Sequence, residues 1–454
     1  MPSLELTNFN IVCATLGGFI TVFGLVSYLL KERFYVSEAL ISMLAGVVFS
    51  ATNFIRPFDY ALESQKNLDL ITLYFTRLVL GVQLVLAGVQ LPARYLQTEW
   101  KSLALLLGPG MAAMWMCSSL VIWVMVPNLS FLHALIVGAC VTPTDPVLSN
   151  SIVKGKFADS NIPRPLQRFI IAESGANDGL GYPFLFFALY LMKFTGISSD
   201  GTTGVGDAMG IWFYDTWGYI IILSIIYGTI VGWLAMKMLH WAEARRYVDR
   251  ESFLVFAISL ALFIVGTCGM IGTDDLLACF VAGNVSTYDD WLRIETLDDS
   301  LQPTVDMILN LSIFMWFGAV CPWSSFIKND GIIPVSRLIC LGVLILLPRR
   351  MPIIFAMHKF ISQVEESSHA AYLGFFGPIG VGAIFYLSVG QQFLQNDMLA
   401  GGQRREDAKR VAETLNVVVW FLVICSIVVH GLSVPLGKAG FYIPRTYSRY
   451  GTIN

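Results

Sequence analysis

In the stretch "CVTPTDPVLSNSIV", residues 140–153, Pro143 and Pro146 bracket Thr144 and Asp145. The segment closes an apolar run, yet within four residues it loses two backbone donors and gains a carboxylate. The next apolar run contains "IIAESGANDGLGYPFLFF", with Glu173, Ser174, Asn177 and Asp178. Positions 173 and 177 are four apart, and so are 174 and 178, so on a helix all four project from one broad face. A polar face with two carboxylates inside an apolar helix costs several kcal/mol in a bilayer unless partners or water meet it. Such groups offer oxygen atoms, which suit protons and hard cations.

The rest of the chain places these residues in a membrane. Of its 454 residues 56% are hydrophobic and 13% charged, with a mean hydropathy of +0.66. A soluble protein carries about a quarter charged residues. Apolar runs of 18 or more recur along nearly the whole length, the pattern of an all-α polytopic membrane protein. The net charge of −3 argues for no nucleic-acid partner. The eight cysteines lie scattered through apolar stretches with no C-x-x-C pair and read as small packing residues. The first apolar run lacks a basic leader and a small-residue cleavage site, so it reads as a true first span. A G-x-S-x-G nucleophile, a Walker motif and an H-E-x-x-H are absent, which removes hydrolase, ATP-driven pump and zinc-protease readings; no enzyme activity and no cofactor is expected.

About thirteen spans are expected, near 9–30, 34–55, 70–92, 101–126, 130–153, 167–192, 212–240, 252–271, 274–288, 304–323, 332–357, 370–392 and 410–437. Loops after spans 1, 3, 5, 7, 9 and 11 hold about 15 Lys and Arg, including Lys154, Lys156, Arg164 and Arg168, against about 8 in the alternate loops. The positive-inside rule then puts the C-terminus in the cytoplasm, although "RREDAKR" at 404–410 pulls the other way. Spans 1 and 8, 5 and 12, and 6 and 13 are each offset by about 240 residues, which suggests a repeat of odd span number and hence inverted halves. Span 12 carries "FGPIGVGAIFY", a second Gly/Pro interruption at the position matching the first. One broken span in each half points to a transporter's binding site, because irregular backbone at membrane depth is tolerated where it lines a cavity.

"TPTDPVL" followed by "ESGANDG" resembles the monovalent cation/proton antiporters, and more closely the fungal plasma-membrane sodium/proton antiporters. The likeness extends to "FTRLVLGVQLVLAGVQLP" in span 3, "PRRMP" in span 11, "GPIGVGAIFY" in span 12 and "VHGLSVP" in span 13. The resemblance implies a single transmembrane domain over 1–454 with thirteen helices and two crossed discontinuous ones. Helices within 101–192 and 304–437 would form the ion-transporting core, those within 9–92 and 212–288 the dimerisation side of a homodimer, and 438–454 the start of a cytoplasmic segment. It implies Asp178 as the ion-binding carboxylate, Asn177 as part of the pattern linked to one-for-one exchange, and Thr144, Asp145 and Ser174 as shapers of the Na⁺ or Li⁺ site. Oxygen ligands suit such ions. Dehydration favours a neutral carboxyl, so one group can hold a proton or a cation but not both, and alternating access then couples the two fluxes. Many fungal members continue into a long hydrophilic tail, whereas this sequence ends about 17 residues after its last span.

Glu173 needs a countercharge, and relatives use an arginine at the place of "LLPRRMPIIF". Arg350 is favoured, with Arg349 nearly a third of a turn away, and the alternative for both is an anchor to lipid phosphate. Asp274 and Asp275 in "GTDDLLACF" match an acidic position of relatives, but an Asp just before an apolar run is more often a helix cap. Arg77 and Asp306 read as structural charges, paired with each other or with backbone; His430 and His133 read as packing or capping residues. Gln90 stands where the family often has an acid, which argues against an ion role for span 3.

Two other functions compete. One is a potassium/proton exchanger or a cation channel of the same fold. The other is an intramembrane aspartyl protease, suggested by "GVGD" at 204–207 and "YD" at 214–215; these lie in a stretch that reads as a glycine-rich loop, which cannot hold two carboxylates around a shared proton.

Overall fold

Apolar length sets the helices, and prolines set where they break. The computed structural model describes residues 7–28, 36–153, 162–195, 204–296, 301–329, 331–400 and 403–450. The main helices are α1 (Asn8–Tyr28), α2 (Glu38–Ala51), α3 (Gln65–Gln90), α4 (Trp100–Met125), α5 (Phe131–Cys140), α6 (Pro146–Val153), α7 (Arg164–Gly179) and α8 (Gly181–Thr195). They continue with α9 (Val205–Ala244), α10 (Arg250–Ile271), α11 (Asp275–Ser286), α12 (Leu301–Val320), α13 (Val335–Leu346), α14 (Met351–Met357), α15 (Ser367–Phe375), α16 (Val381–Asn396) and α17 (Glu406–Tyr450). Joined across their interruptions, they form thirteen successive segments among the described residues, at the places of the expected spans. The strands among the described residues are the two-residue pair Leu399–Ala400 and Gln403–Arg404. Lys154 and Lys156, which weigh in the loop count, and residues 451–454 lie outside the described residues.

Six helices are long and apolar enough to cross a bilayer unaided: α3, α4, α9, most of α12, the α13–α14 pair taken as Val335–Phe360, and α17 over Glu406–Ser433. The others are shorter, and α11 shows how a short helix is kept at depth. Its Gly283 lies so close to α3 that a β-carbon there would be 2.4 Å from the Val85 carbonyl oxygen. On its other side Gly232 of α9 meets the Ala282 carbonyl at 2.5 Å on the same measure. Small residues let these backbones touch, the usual way helices associate in lipid. The far ends of α3 and α11 are tied by Asp290, which accepts from Ala93 N at 3.0 Å. Arg293 beside Asp290 holds that carboxyl below the usual carboxylate range.

The sequence predicts two interrupted spans; the described residues contain four. Pro143 and Pro146 separate α5 from α6 at 141–145, and Pro378 with its flanking glycines separates α15 from α16 at 376–380. Pro183 marks a third break, at Leu180 between α7 and α8, and Pro348 and Pro352 a fourth, at 347–350 between α13 and α14. In each case a missing N–H leaves a carbonyl of the preceding turn without its helical donor. The first two breaks cross, joined by a hydrogen bond from Asp145 N to Pro378 O of 2.9 Å.

One expectation is corrected. Residues 204–215 are not a loop: Asp207 lies in the first turn of α9, accepting from Gly204 N at 3.0 Å, and Asp215 accepts from Tyr190 Oη at 2.7 Å. Eight residues of helix put them about 12 Å apart along one axis, too far to share a proton.

Candidate ion-binding site

Around the crossing, four half-helix ends point inward, and each pair meets an opposite charge. Asp145 sits at the N-termini of both α6 and α16: its Oδ2 accepts from Leu148 N at 2.7 Å and its Oδ1 from Gly382 N at 3.1 Å. At the other end, Arg349 donates to the carbonyl of Val141, just past α5, and to that of Gly377, just past α15, the latter at 2.8 Å. Helix N-termini carry roughly half a positive charge and C-termini half a negative one, so a buried anion and a buried cation each stabilise two broken ends. Arg349 and Arg350 are both 3% exposed, which removes the lipid-phosphate reading of this pair. Both arginines turn inward because the helix is interrupted under them.

Arg350 is the partner of Glu173. Its Nη1 and Nη2 reach Oε1 and Oε2 at 2.5 and 2.6 Å, a bidentate pair in the interior, and its Nε donates to Leu373 O at 2.9 Å. Glu173 is thereby held as a structural strut between α7 and the arginine turn.

Asn177, one turn beyond Glu173, clasps the first break. Its Oδ1 accepts from Thr144 N at 3.2 Å and its Nδ2 donates to Thr144 Oγ1 at 2.8 Å. Ser174 is buried on the same helix, but its hydroxyl donates to Ile170 O at 2.8 Å, within its own backbone.

Asp178 differs from every one of these. It is 0% exposed, and neither carboxylate oxygen has a hydrogen-bond partner. Its carboxylate rests on the first turn of α16, where a β-carbon on Gly382 would be 2.3 Å from Oδ1. The acids that bear on it through space are Asp145 and Asp274. An ionised carboxylate so placed is costly without a countercharge. A proton or a cation supplies one.

Several supporting residues were not singled out from the sequence. The Tyr386 hydroxyl donates to the Asp178 carbonyl and lies 3.3 Å from that of Gly179. Gly179 O is the acceptor that Pro183, lacking N–H, leaves open, so the phenol repairs the backbone beside the unpaired carboxylate. The signal was present as a tyrosine four residues after Gly382 and a proline four after Gly179, but nothing local links them. Ser426 Oγ accepts from Ile379 N at 2.8 Å, and His430 packs between Ser426 and the Phe375 carbonyl (3.2 Å), so the histidine supports the second break. Ser130 caps α5, its Oγ accepting from the backbone N–H of His133 at 3.2 Å, a bond that does not involve the imidazole.

Asp274 caps α11, accepting from Leu276 N and Leu277 N at 2.9 and 3.1 Å, as a helix-start aspartate should. Asp275 is the partner of Arg77 at 2.6 Å, and Arg77 also donates to Val265 O at 3.2 Å. Arg77 thus pairs with Asp275 and not with Asp306. The reason is that α3 packs along α11 through small residues, which brings 77 and 275 to one depth.

A family model described as "Sodium/hydrogen exchanger, transmembrane" matches residues 18–436. The "Na(+)/H(+) antiporter 2" of Zygosaccharomyces rouxii is 33% identical over 449 residues, covering 97% of this chain and 54% of that protein. A probable Na⁺/H⁺ antiporter of Schizosaccharomyces pombe is 36% identical over 454 residues, covering 96% of this chain and 57% of that one. The chain spans about half the length of these relatives. A second S. pombe Na⁺/H⁺ antiporter is 29% identical, and 90% of its length is matched. The fold is similar to that of the sodium proton antiporter MjNhaP1 from Methanocaldococcus jannaschii, with a TM-score of 0.65, 18% identity, 94% of this chain and 100% of that chain covered. With the family model covering most of its length and the crossed breaks in place, the chain belongs to the sodium/hydrogen exchanger family.

Proposed function

We propose that this protein is a secondary antiporter that moves Na⁺ or Li⁺ across a membrane in exchange for H⁺, the two ions competing for Asp178. One observation carries the reading: a fully buried carboxylate with both oxygens unpaired, at the meeting point of three interrupted helices. The relatives' names supply the ion class. Asp145 anchors the half-helix N-termini beside the ion, Thr144 and Asn177 fix the break that frames it, Ser174 lies one turn below, and the Glu173–Arg350 pair holds the helix that carries it. Asp274 adds a second carboxyl from the facing helix, and Asp275 keeps Arg77 occupied. The ion is substrate, and no cofactor enters the scheme.

The same reading extends to the assembly. The chain acts as a homodimer in the plasma membrane with its C-terminus in the cytoplasm, helices within 101–192 and 304–437 moving as the core against those within 9–92 and 212–288. Exchange is one-for-one, in keeping with a single unpaired carboxylate at the site.

The test uses sealed vesicles with an imposed pH gradient and a pH-sensitive dye. Na⁺ or Li⁺ dissipates the gradient in the wild type and fails to do so in Asp178→Asn; persistence in the variant ends the proposal. K⁺ in the same assay separates a potassium exchanger. A rate that rises steeply with imposed membrane potential refutes one-for-one exchange.

A further inference from the structure

The helices that leave the Asp178 site, α8 and α16, run side by side and open at their far ends into a cavity of about 460 Å³. Phe186, Tyr190 and Phe393 line it, with Lys193, Gln392 and Asp397 towards the mouth. Asp178 to Lys193 and Gly382 to Asp397 are each 15 residues, roughly 22 Å of helix. Between site and cavity runs an unbroken row of rings. Tyr386, whose hydroxyl sits on the Asp178 backbone, meets Tyr182 at 5.5 Å between centroids; Tyr182 meets Phe186 at 5.6 Å, and Phe186 meets Phe393 at 5.7 Å. The floor of the cavity is therefore the top of an aromatic seal over the carboxylate.

The mouth is charged. Lys193 Nζ lies 3.1 Å from Asp397 Oδ1 and 5.3 Å from the Phe393 ring centre, with side chains 33% and 45% exposed. An ion pair this open is weak and readily exchanged for another cation. Gln392 and Asn396, five residues and one residue before Asp397, line the same cavity and bring amide groups to it. Six waters of hydration at about 30 Å³ each fill less than half the cavity, so a monovalent cation enters without shedding its shell.

We propose that this cavity is a second, peripheral site for the transported cation, in which Asp397 with Gln392 and Asn396 takes a hydrated Na⁺ or Li⁺ and Lys193 is a tethered competitor for the same carboxylate. The proposal rests on Asp178 being the transport carboxylate. The charges bearing on the cavity from neighbouring elements are Asp215 of α9, which accepts from Tyr190 Oη at 2.7 Å, Arg405, whose Nη1 is 3.4 Å from Lys193 O, and Asp407, which holds Arg405 at 2.5 Å. That second pair leaves Lys193 as the cation beside Asp397.

Vesicle exchange with Lys193→Gln and Asp397→Asn tests this. Lys193→Gln lowers KM for Na⁺ about three- to tenfold, with kcat within twofold; Asp397→Asn raises KM by a similar factor, and Lys193→Gln loses most of its effect in that background. A readout independent of transport uses Gln392→Cys and a cationic methanethiosulfonate reagent, with the unsubstituted chain as background. Saturating Na⁺ slows labelling severalfold, the protection disappears with Asp397→Asn, and it persists with Asp178→Asn. Unchanged KM in both variants while wild-type exchange is intact overturns the proposal, as does protection that follows Asp178 and ignores Asp397. Exchange surviving Asp178→Asn overturns the central reading instead, and the labelling assay still reports on the cavity.

Discussion

Gly382 touches both acids of the crossing: its N–H donates to Asp145 Oδ1 at 3.1 Å, and a β-carbon on it would lie 2.3 Å from Asp178 Oδ1. The neighbour there is a short, buried carboxylate with little freedom to retreat, so even a methyl group displaces the oxygen proposed to bind the ion. Gly382→Ala is expected to reduce exchange at least a hundredfold while the protein still runs as a single species on gel filtration. Near wild-type exchange would mean that the carboxylate does not rest on α16 during transport.

Asp178→Asn removes a buried charge that has no protein partner. In cation-free buffer at alkaline pH the variant is expected to be the more stable, by thermal unfolding in detergent. Wild type gains stability on adding Na⁺, about 2.7 kcal/mol at a hundredfold excess over Kd, and the variant gains none from the central site.

On the proposed scheme, competition between one proton and one cation sets the pH dependence of that same binding. Lowering the pH protonates the carboxyl and weakens Na⁺, so log Kd is expected to rise with slope one per pH unit on the acidic side. A slope of two would show a second proton entering with the first, from Asp145 or Glu173.

The Glu173–Arg350 pair is buried on both sides, at 2% and 3% side-chain exposure. Breaking such a pair from one side strands a charge and costs about 3–5 kcal/mol, whereas replacing both partners is close to neutral. Glu173→Gln and Arg350→Met are each expected to lower the melting temperature sharply, and the double variant to recover most of the loss.

Tyr386 and Pro183 are expected to be coupled. Tyr386→Phe removes the hydroxyl shared by the Asp178 and Gly179 carbonyls, at a cost of about 1–3 kcal/mol, and is expected to raise KM more than it lowers kcat. Pro183→Ala returns the missing N–H four residues on, so in that background Tyr386→Phe should do less. Additive effects in a double-mutant cycle would detach the phenol from the break.

Much of this molecule was legible from one dimension. Helix period and apolar length gave thirteen segments; Pro143, Pro146 and Pro378 gave the two crossing breaks; spacing by four put Glu173, Asn177, Ser174 and Asp178 on one helix. The third break was missed because it interrupts its helix by the single residue Leu180, and the fourth because the apolar run resumes directly after Pro352. Arg77 found Asp275 and not Asp306 because the depth of a charge depends on how two helices slide together.

The sequence by itself determined which residues lie at membrane depth and which carry oxygen, because turn geometry and hydropathy are properties of neighbours in the chain. Only the tertiary structure decided which oxygens are spent and which are open. Asp145, Glu173 and Thr144 each find a donor at least 33 positions away, Ser174 donates its own proton within its helix, and Asp178 finds no partner. That difference comes from a glycine on α16 arriving where a longer side chain or a donor would otherwise stand, and no local pattern encodes an arrival from 204 residues further along the chain.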